Sequence, residues 1–93
     1  MSEARLIIVD DEPVVLQLLA AVFRGEEGLR VVRCPNGTAA LAAIEEGVDV
    51  LLTDKNLPGQ HGLQLAARIQ ERHPGTRLVL VSLGEVRPTL VNL

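Results

Sequence analysis

The chain reads as an α/β fold in which short buried strands alternate with helices around a parallel sheet. Three observations predict it. Apolar runs without polar alternation, such as Leu6-Ile7-Ile8-Val9 and Val79-Leu80-Val81, suit strands covered on both faces. Between the runs, apolar residues recur at helical spacing, as at Val15, Leu18, Leu19 and Val22. Two strands end in acid, one in Asp10-Asp11 and one in Asp54. If those strands lie side by side, three carboxylates meet at one sheet edge. Like charges at that distance repel, so the arrangement predicts a divalent cation and a carboxylate placed to do chemistry.

Each element follows in order. Arg5 to Asp10 is the first strand. Pro13 opens the first helix, where a missing N–H is harmless, and Gly25 and Gly28 bracket its exit. Leu29 to Arg33 is the second strand. Asn36-Gly37-Thr38 turns into a second helix whose inner face is Ala40, Leu41 and Ile44, ending before Gly47. Val48 to Asp54 is the third strand. Pro58, Gly59 and Gly62 mark a loop, and a third helix carries Leu65, Ala66 and Ile69 up to His73-Pro74-Gly75. Arg77 to Ser82 is the fourth strand. Residues 84–93 admit two readings, a helix starting at Pro88 or a tail. The order β-α-β-α-β-α-β implies right-handed crossovers, and in open sheets of this kind ligands bind beyond the carboxyl ends of the strands. Asp10, Asp11, Asp54 and Ser82 all fall at such ends.

Composition bounds the function. Ninety-three residues make one small domain, 47% apolar with Phe23 as its single aromatic, so the core is aliphatic. A net charge of -3 with eight scattered arginines argues against direct nucleic-acid binding by this chain. No run reaches the length of a membrane span and no signal segment opens the chain, which reads as soluble and cytoplasmic. Cys34 is alone, so an intrachain disulfide is impossible.

The stretches Ile7-Ile8-Val9-Asp10-Asp11-Glu12-Pro13, Leu51-Leu52-Thr53-Asp54-Lys55-Asn56-Leu57-Pro58-Gly59 with Gly62, and Leu78-Val79-Leu80-Val81-Ser82 together resemble the receiver domain of two-component response regulators. Asn36-Gly37 with Ala40-Leu41 is similar to that family's second helix. The likeness runs from about Arg5 to Gly84. It implies a flavodoxin-like (CheY-like) doubly wound parallel sheet in three α/β/α layers, with the strand order 2-1-3-4-5 that doubly wound receivers show. It further implies that Asp54 accepts a phosphoryl group from the phosphohistidine of a sensor histidine kinase or a phosphotransfer protein. Asp11 and Asp10 would hold Mg²⁺ with Asp54 and the backbone carbonyl of Asn56, and Ser82 would hydrogen-bond the phosphoryl group and move when it arrives. The chain would be a signalling switch rather than an enzyme with an external substrate.

The residues carry blander readings as well. Asp11 could cap the helix that begins near Pro13. Ser82 alone reads as a turn residue, His61 and His73 as solvated, Cys34 as a small half-buried side chain, and the Glu26-Glu27 and Glu45-Glu46 pairs as solvated faces. Asp54 in company with the Asp10-Asp11 pair favours metal binding over the cap.

The resemblance is incomplete. The family's lysine at the end of a fifth strand has no counterpart: the one lysine, Lys55, should point away from Asp54, because strand side chains alternate. The fifth-strand aromatic is missing too. Finishing a fourth helix and adding a fifth strand and helix would take roughly 30 more residues, so residues 1–93 are expected to form a single receiver domain lacking its fifth strand and fifth helix. Leu83 stands where the family has a small residue and is expected to narrow access to Asp54; Gly84 and Asn56 stand at the two family positions that tune phosphoryl hydrolysis, and neither is bulky. An uncovered fourth-strand edge invites pairing with another chain, which predicts either a homodimer through that edge or a tail, Thr89 to Leu93, folded over it. Two other functions compete. A pseudo-receiver would keep the fold as an interaction module without switching. A phosphohydrolase of the haloacid dehalogenase type also uses a strand-end aspartate, but it resembles Asp-x-Asp-x-Thr, and here Asn56 stands two residues after Asp54.

Overall fold

The run Leu6-Ile7-Ile8-Val9 is buried at every position, and that demand for cover on both faces organises the molecule. In the computed structural model, which describes residues 3–54, 56, 57, 60–82 and 85–91, it forms most of β1 (Ala4–Val9). There follow α1 (Pro13–Val22), β2 (Leu29–Cys34), α2 (Gly37–Ala43), a 3₁₀ turn (Ile44–Glu46), β3 (Val50–Asp54), the two-residue strands β4 (Asn56–Leu57) and β5 (Gln60–His61), α3 (Gly62–Arg72), β6 (Arg77–Ser82) and β7 (Glu85–Val91). The main sheet has the order β2-β1-β3-β6-β7. Its first four strands are parallel and stand in the doubly wound order expected for them.

Alternation along each strand splits the core between the two faces. On one face Ile7, Val9, Cys34, Leu51 and Leu78 meet Ala40 and Ile44 from the α2 side and Leu65, Ala66 and Ile69 from α3. On the other, Leu6, Ile8 and Leu52 meet Leu16, Leu19, Ala20 and Phe23 from α1 and the turn after it. The Asn36 side chain caps α2, accepting from the Ala39 N–H at 2.8 Å. Arg5 ties β1 to the end of that layer: its guanidinium donates to Glu46 at 3.0 Å and to the Ala43 carbonyl at 3.1 Å. Gly47 follows at φ 101°, a left-handed conformation that a side chain would strain.

The third strand begins later than the apolar run. Asp49 already bonds to both flanking strands, its N–H donating to the Arg5 carbonyl at 3.0 Å and its carbonyl accepting from the Arg77 N–H at 2.9 Å, while its carboxylate accepts from the Arg5 N–H at 2.7 Å and Thr76 Oγ donates to the Val48 carbonyl. The segment read as a loop after β3 contains a short antiparallel pair, Asn56 with His61 and Leu57 with Gln60.

The C-terminal segment corrects one alternative. No helix starts at Pro88; Glu85–Val91 is a strand, antiparallel to β6. Val86, Thr89 and Val91 favour extended backbone, and Arg87 is held there by the proline after it. The pairs Leu78–Val91, Val79–Leu90 and Leu80–Thr89 are regular, the register then breaks, and Ser82 pairs with Glu85. Pro88, which cannot donate to a ladder, falls in the irregular stretch. The β6 edge, expected to be open to a second copy, is therefore covered by β7, as the tail alternative required, although the pairing begins at Glu85 rather than Thr89.

Leu51 is completely buried at the centre of the sheet. Leu51→Ala should lower unfolding free energy by about 2–5 kcal/mol, the cost of a cavity at a fully packed site. Chemical denaturation checks this, and a loss under about 1 kcal/mol would contradict the packing described.

Candidate functional site

Strand pairing builds the site. Val9 is the Cα partner of Thr53, so the residues that follow them, Asp10 and Asp54, emerge at the same level of the same sheet edge. Asp11 follows at the start of the β1–α1 connection. One carboxylate oxygen from each of Asp10, Asp11 and Asp54 lies within 4.8 Å of the other two. Asp10 and Asp54 are buried, 1% and 6% exposed, whereas Asp11 is open to solvent. The cluster therefore has an enclosed floor and an accessible side, through which a hydrated ion or a phosphoryl group can enter.

The connection is shaped by the floor residue itself. Asp10 accepts the Glu12 N–H on Oδ1 at 2.9 Å, and its own N–H donates to the Cys34 carbonyl at 3.2 Å. The N-cap of α1 is Glu12, which makes no side-chain cap. Asp11 is thus one residue too early to cap the helix, and the bland reading of it falls away. Thr53, completely buried, donates its hydroxyl to the Asp54 carbonyl at 3.1 Å. Sequence reasoning passed over Thr53 and Glu12. A polar β-branched residue inside a buried strand, directly before the acid, was the available signal for the first; an Asp-x-Glu step ahead of a helix-opening proline was the signal for the second.

Electrostatics agree with the geometry. Burial pushes the Asp10 carboxyl above its ordinary value, the hydrogen bond from Glu12 pulls it down, and the charges of Asp54, Asp11 and Glu12 add to the rise. Carboxylates gathered this way hold a hard cation well, because all donors are oxygens and the cation removes the repulsion among them. The donor set fits Mg²⁺, with Asp10, Asp11 and Asp54 as the residues able to hold it. Asn56 lies in β4, two residues beyond Asp54, and Ser82 closes β6 one residue beyond Val81, the partner of Asp54. Lys55, Leu83 and Gly84 lie outside the described residues. Cys34 is more deeply buried than expected, at 2% exposure, and burial raises its thiol, opposed by the charge of Arg5.

Comparisons with known proteins converge. Residues 6–93 match the family model of the response regulator receiver domain. The chain is 34% identical to a protein-glutamate methylesterase/protein-glutamine glutaminase of Paramagnetospirillum magneticum, over 96% of this chain and 24% of that protein. It is 34% identical to the transcriptional regulatory protein TcrA of Mycobacterium tuberculosis, over 100% of this chain and 37% of that protein. It therefore spans well under half the length of either relative. Among solved structures, the isolated receiver domain of RcsB from Salmonella enterica serovar Typhimurium, determined with the phosphomimetic BeF₃⁻, superposes with a TM-score of 0.77 at 25% identity, covering 88% of this chain and 63% of that one.

The raised Asp10 carboxyl gives a signed pH dependence. Between the unfolded value of 3.8 and the higher folded value, the native state binds more protons than the unfolded state. Metal-free stability should thus fall as pH rises through that window and level off above it. Mg²⁺ needs the deprotonated cluster, so its stabilising effect should grow over the same window, reaching about 1.4 kcal/mol at roughly ten times its Kd. Asp10→Asn should raise metal-free stability and abolish most of the Mg²⁺ gain. Thermal melts with and without Mg²⁺ across pH check this; an Asp10→Asn variant less stable than wild type without metal would contradict it.

Proposed function

Because the chain belongs to the response regulator receiver domain family, we propose that residues 1–93 act as a single phosphoacceptor domain in which Asp54 takes a phosphoryl group from a histidine kinase or phosphotransfer protein. The observation that carries this reading is the convergence of three carboxylates, two of them buried, at one strand edge. A structural fold alone has no use for that cluster, which works against stability unless something positive joins it.

The roles follow from position. An Asp54 carboxylate oxygen attacks the phosphorus; the P–N bond of the phosphohistidine breaks and its electron pair stays on the imidazole nitrogen. A carboxylate is a weak nucleophile toward an anionic group, so positioning and charge neutralisation carry the reaction. Bound Mg²⁺ supplies that neutralisation and a ligand position for a phosphoryl oxygen. Asp11, on the open side, and Asp10, fixed by the Glu12 N–H, are the residues we assign to hold it with Asp54, together with the Asn56 carbonyl. Ser82, at the end of the neighbouring strand, is assigned to the phosphoryl group.

The pseudo-receiver alternative is disfavoured by the same cluster, whose three carboxylates an interaction module has no reason to hold together. The phosphohydrolase alternative lacks its second acid at Asn56. Among the described residues no helix is long and apolar enough to cross a membrane, and the proposed phosphotransfer from a sensor kinase supports a cytoplasmic location. The methylesterase activity named for one relative belongs to a protein of which this chain spans 24%, and the reading for this chain is a switch rather than an enzyme with its own substrate.

Intact mass after incubation with acetyl phosphate and Mg²⁺ tests the proposal. A single phosphoryl adduct is expected, dependent on Mg²⁺ and absent in Asp54→Asn. Asp11→Asn should slow its formation by at least about 10–100-fold, the scale on which disturbing a metal's surroundings acts. An adduct that survives Asp54→Asn, or folded wild type that never labels, would overturn the assignment.

A further inference from the structure

We propose that Thr53 is a positioning residue for phosphoryl transfer: its buried hydroxyl fixes the backbone of Asp54 and so aims the accepting carboxylate. The inference rests on Asp54 being the phosphoacceptor, and it adds to that reading the group that holds Asp54 in place. The first ground is the oddity of a hydroxyl at this position. Thr53 follows Val50, Leu51 and Leu52 within β3, and Val9 is its Cα partner on β1. By alternation it shares a sheet face with Ile7, Val9, Leu51 and Leu78, the aliphatic face covered by α2 and α3. Thr53 is wholly inaccessible to solvent. Taking a hydroxyl out of water costs free energy, and valine would fill the same β-branched shape without that cost. Packing therefore gives no reason for the hydroxyl.

The second ground is where the hydroxyl goes. It donates to the Asp54 carbonyl at 3.1 Å, its one partner among the described residues. Thr76, also buried, donates to the Val48 carbonyl instead, ahead of the other end of β3 and away from the carboxylates. Of these two buried hydroxyls, one serves the entry to the strand and the other serves the site.

The carbonyl held by Thr53 and the accepting carboxylate belong to the same residue. The direction of that carbonyl is set by the φ and ψ of Asp54, and the rotamers open to a side chain depend on its φ and ψ. Holding the carbonyl thus narrows the directions in which the carboxylate can point. β3 ends at Asp54, where the chain leaves the sheet. A last peptide is held less firmly by the ladder than those inside a strand, so a side-chain bond matters most there. A weak nucleophile depends on placement, and an error of about 1 Å can cost on the order of 100-fold in rate.

Labelling by acetyl phosphate with Mg²⁺, followed by intact mass over a range of donor concentrations, tests the proposal on wild type, Thr53→Val and Thr53→Ser. Thr53→Val keeps the shape and removes the donor, whereas Thr53→Ser keeps the donor. Thr53→Val should unfold as cooperatively as wild type. Its maximal labelling rate should fall by at least about tenfold with the half-saturating donor concentration little changed, the mark of an interaction that acts in the transition state. Thr53→Ser should restore most of the rate. A readout independent of labelling is the carbonyl carbon resonance of Asp54, which should move upfield in Thr53→Val and stay near its wild-type position in Thr53→Ser. A Thr53→Val protein that labels at the wild-type rate would overturn the proposal. So would Thr53→Ser as slow as Thr53→Val, slow labelling that tracks a lost folded fraction, or an Asp54 carbonyl resonance that does not move. Folded wild type that never labels strikes the phosphoacceptor reading itself, and this inference with it.

Discussion

The repulsion among Asp10, Asp11 and Asp54 is the constraint on which the site depends. Nothing in the packing of the sheet requires three carboxylates at one edge. Pairing Val9 with Thr53 brings two of them level, and the short connection to α1 adds the third. The rise of the Asp10 carboxyl, driven first by burial and then by its acidic neighbours, is that conflict expressed as proton affinity. A cation resolves the conflict, and the site then couples metal binding, phosphoryl chemistry and stability through one set of charges.

The scaffold is stiff where the site needs it to be. Asp10 and Asp54 stand at the ends of the most deeply buried strands, with Ile7, Ile8, Val9 and Leu51 wholly inaccessible below them. The Asp10 carboxylate holds the Glu12 N–H, which orients the turn that presents Asp11. Two buried members thus sit on rigid strands and the exposed one sits on a connection, an arrangement that admits a ligand without loosening the floor.

Much of this was legible in the residues. Short aliphatic runs bounded by turn residues read as doubly covered strands, so β1, β3 and β6, and the acids after β1 and at the end of β3, followed directly, and the spacing of Leu65, Ala66 and Ile69 marked α3. What was not legible depended on pairings that no local pattern encodes. The Asn56–Leu57 and Gln60–His61 pair is too short to carry a period. The entry to β3 is another such case: Asp49 bonds to both flanking strands through its main chain, while its carboxylate accepts from the Arg5 N–H and Thr76 Oγ donates to the Val48 carbonyl. Residues 85–91 were open between helix and tail because Pro88 tolerates a helix start as readily as an irregular edge strand, and the apolar edge of β6 decided between them.

The most direct test of the central claim, that these three carboxylates form one cation site, is paramagnetic broadening of amide resonances by Mn²⁺ as a surrogate for Mg²⁺. The account predicts selective loss of signals from residues 10–12 and 53–54 at low Mn²⁺, reversed by excess Mg²⁺, with Glu26, Glu27, Glu45 and Glu46 untouched. Broadening spread evenly over the acidic surface, or centred on the glutamate pairs, would contradict it.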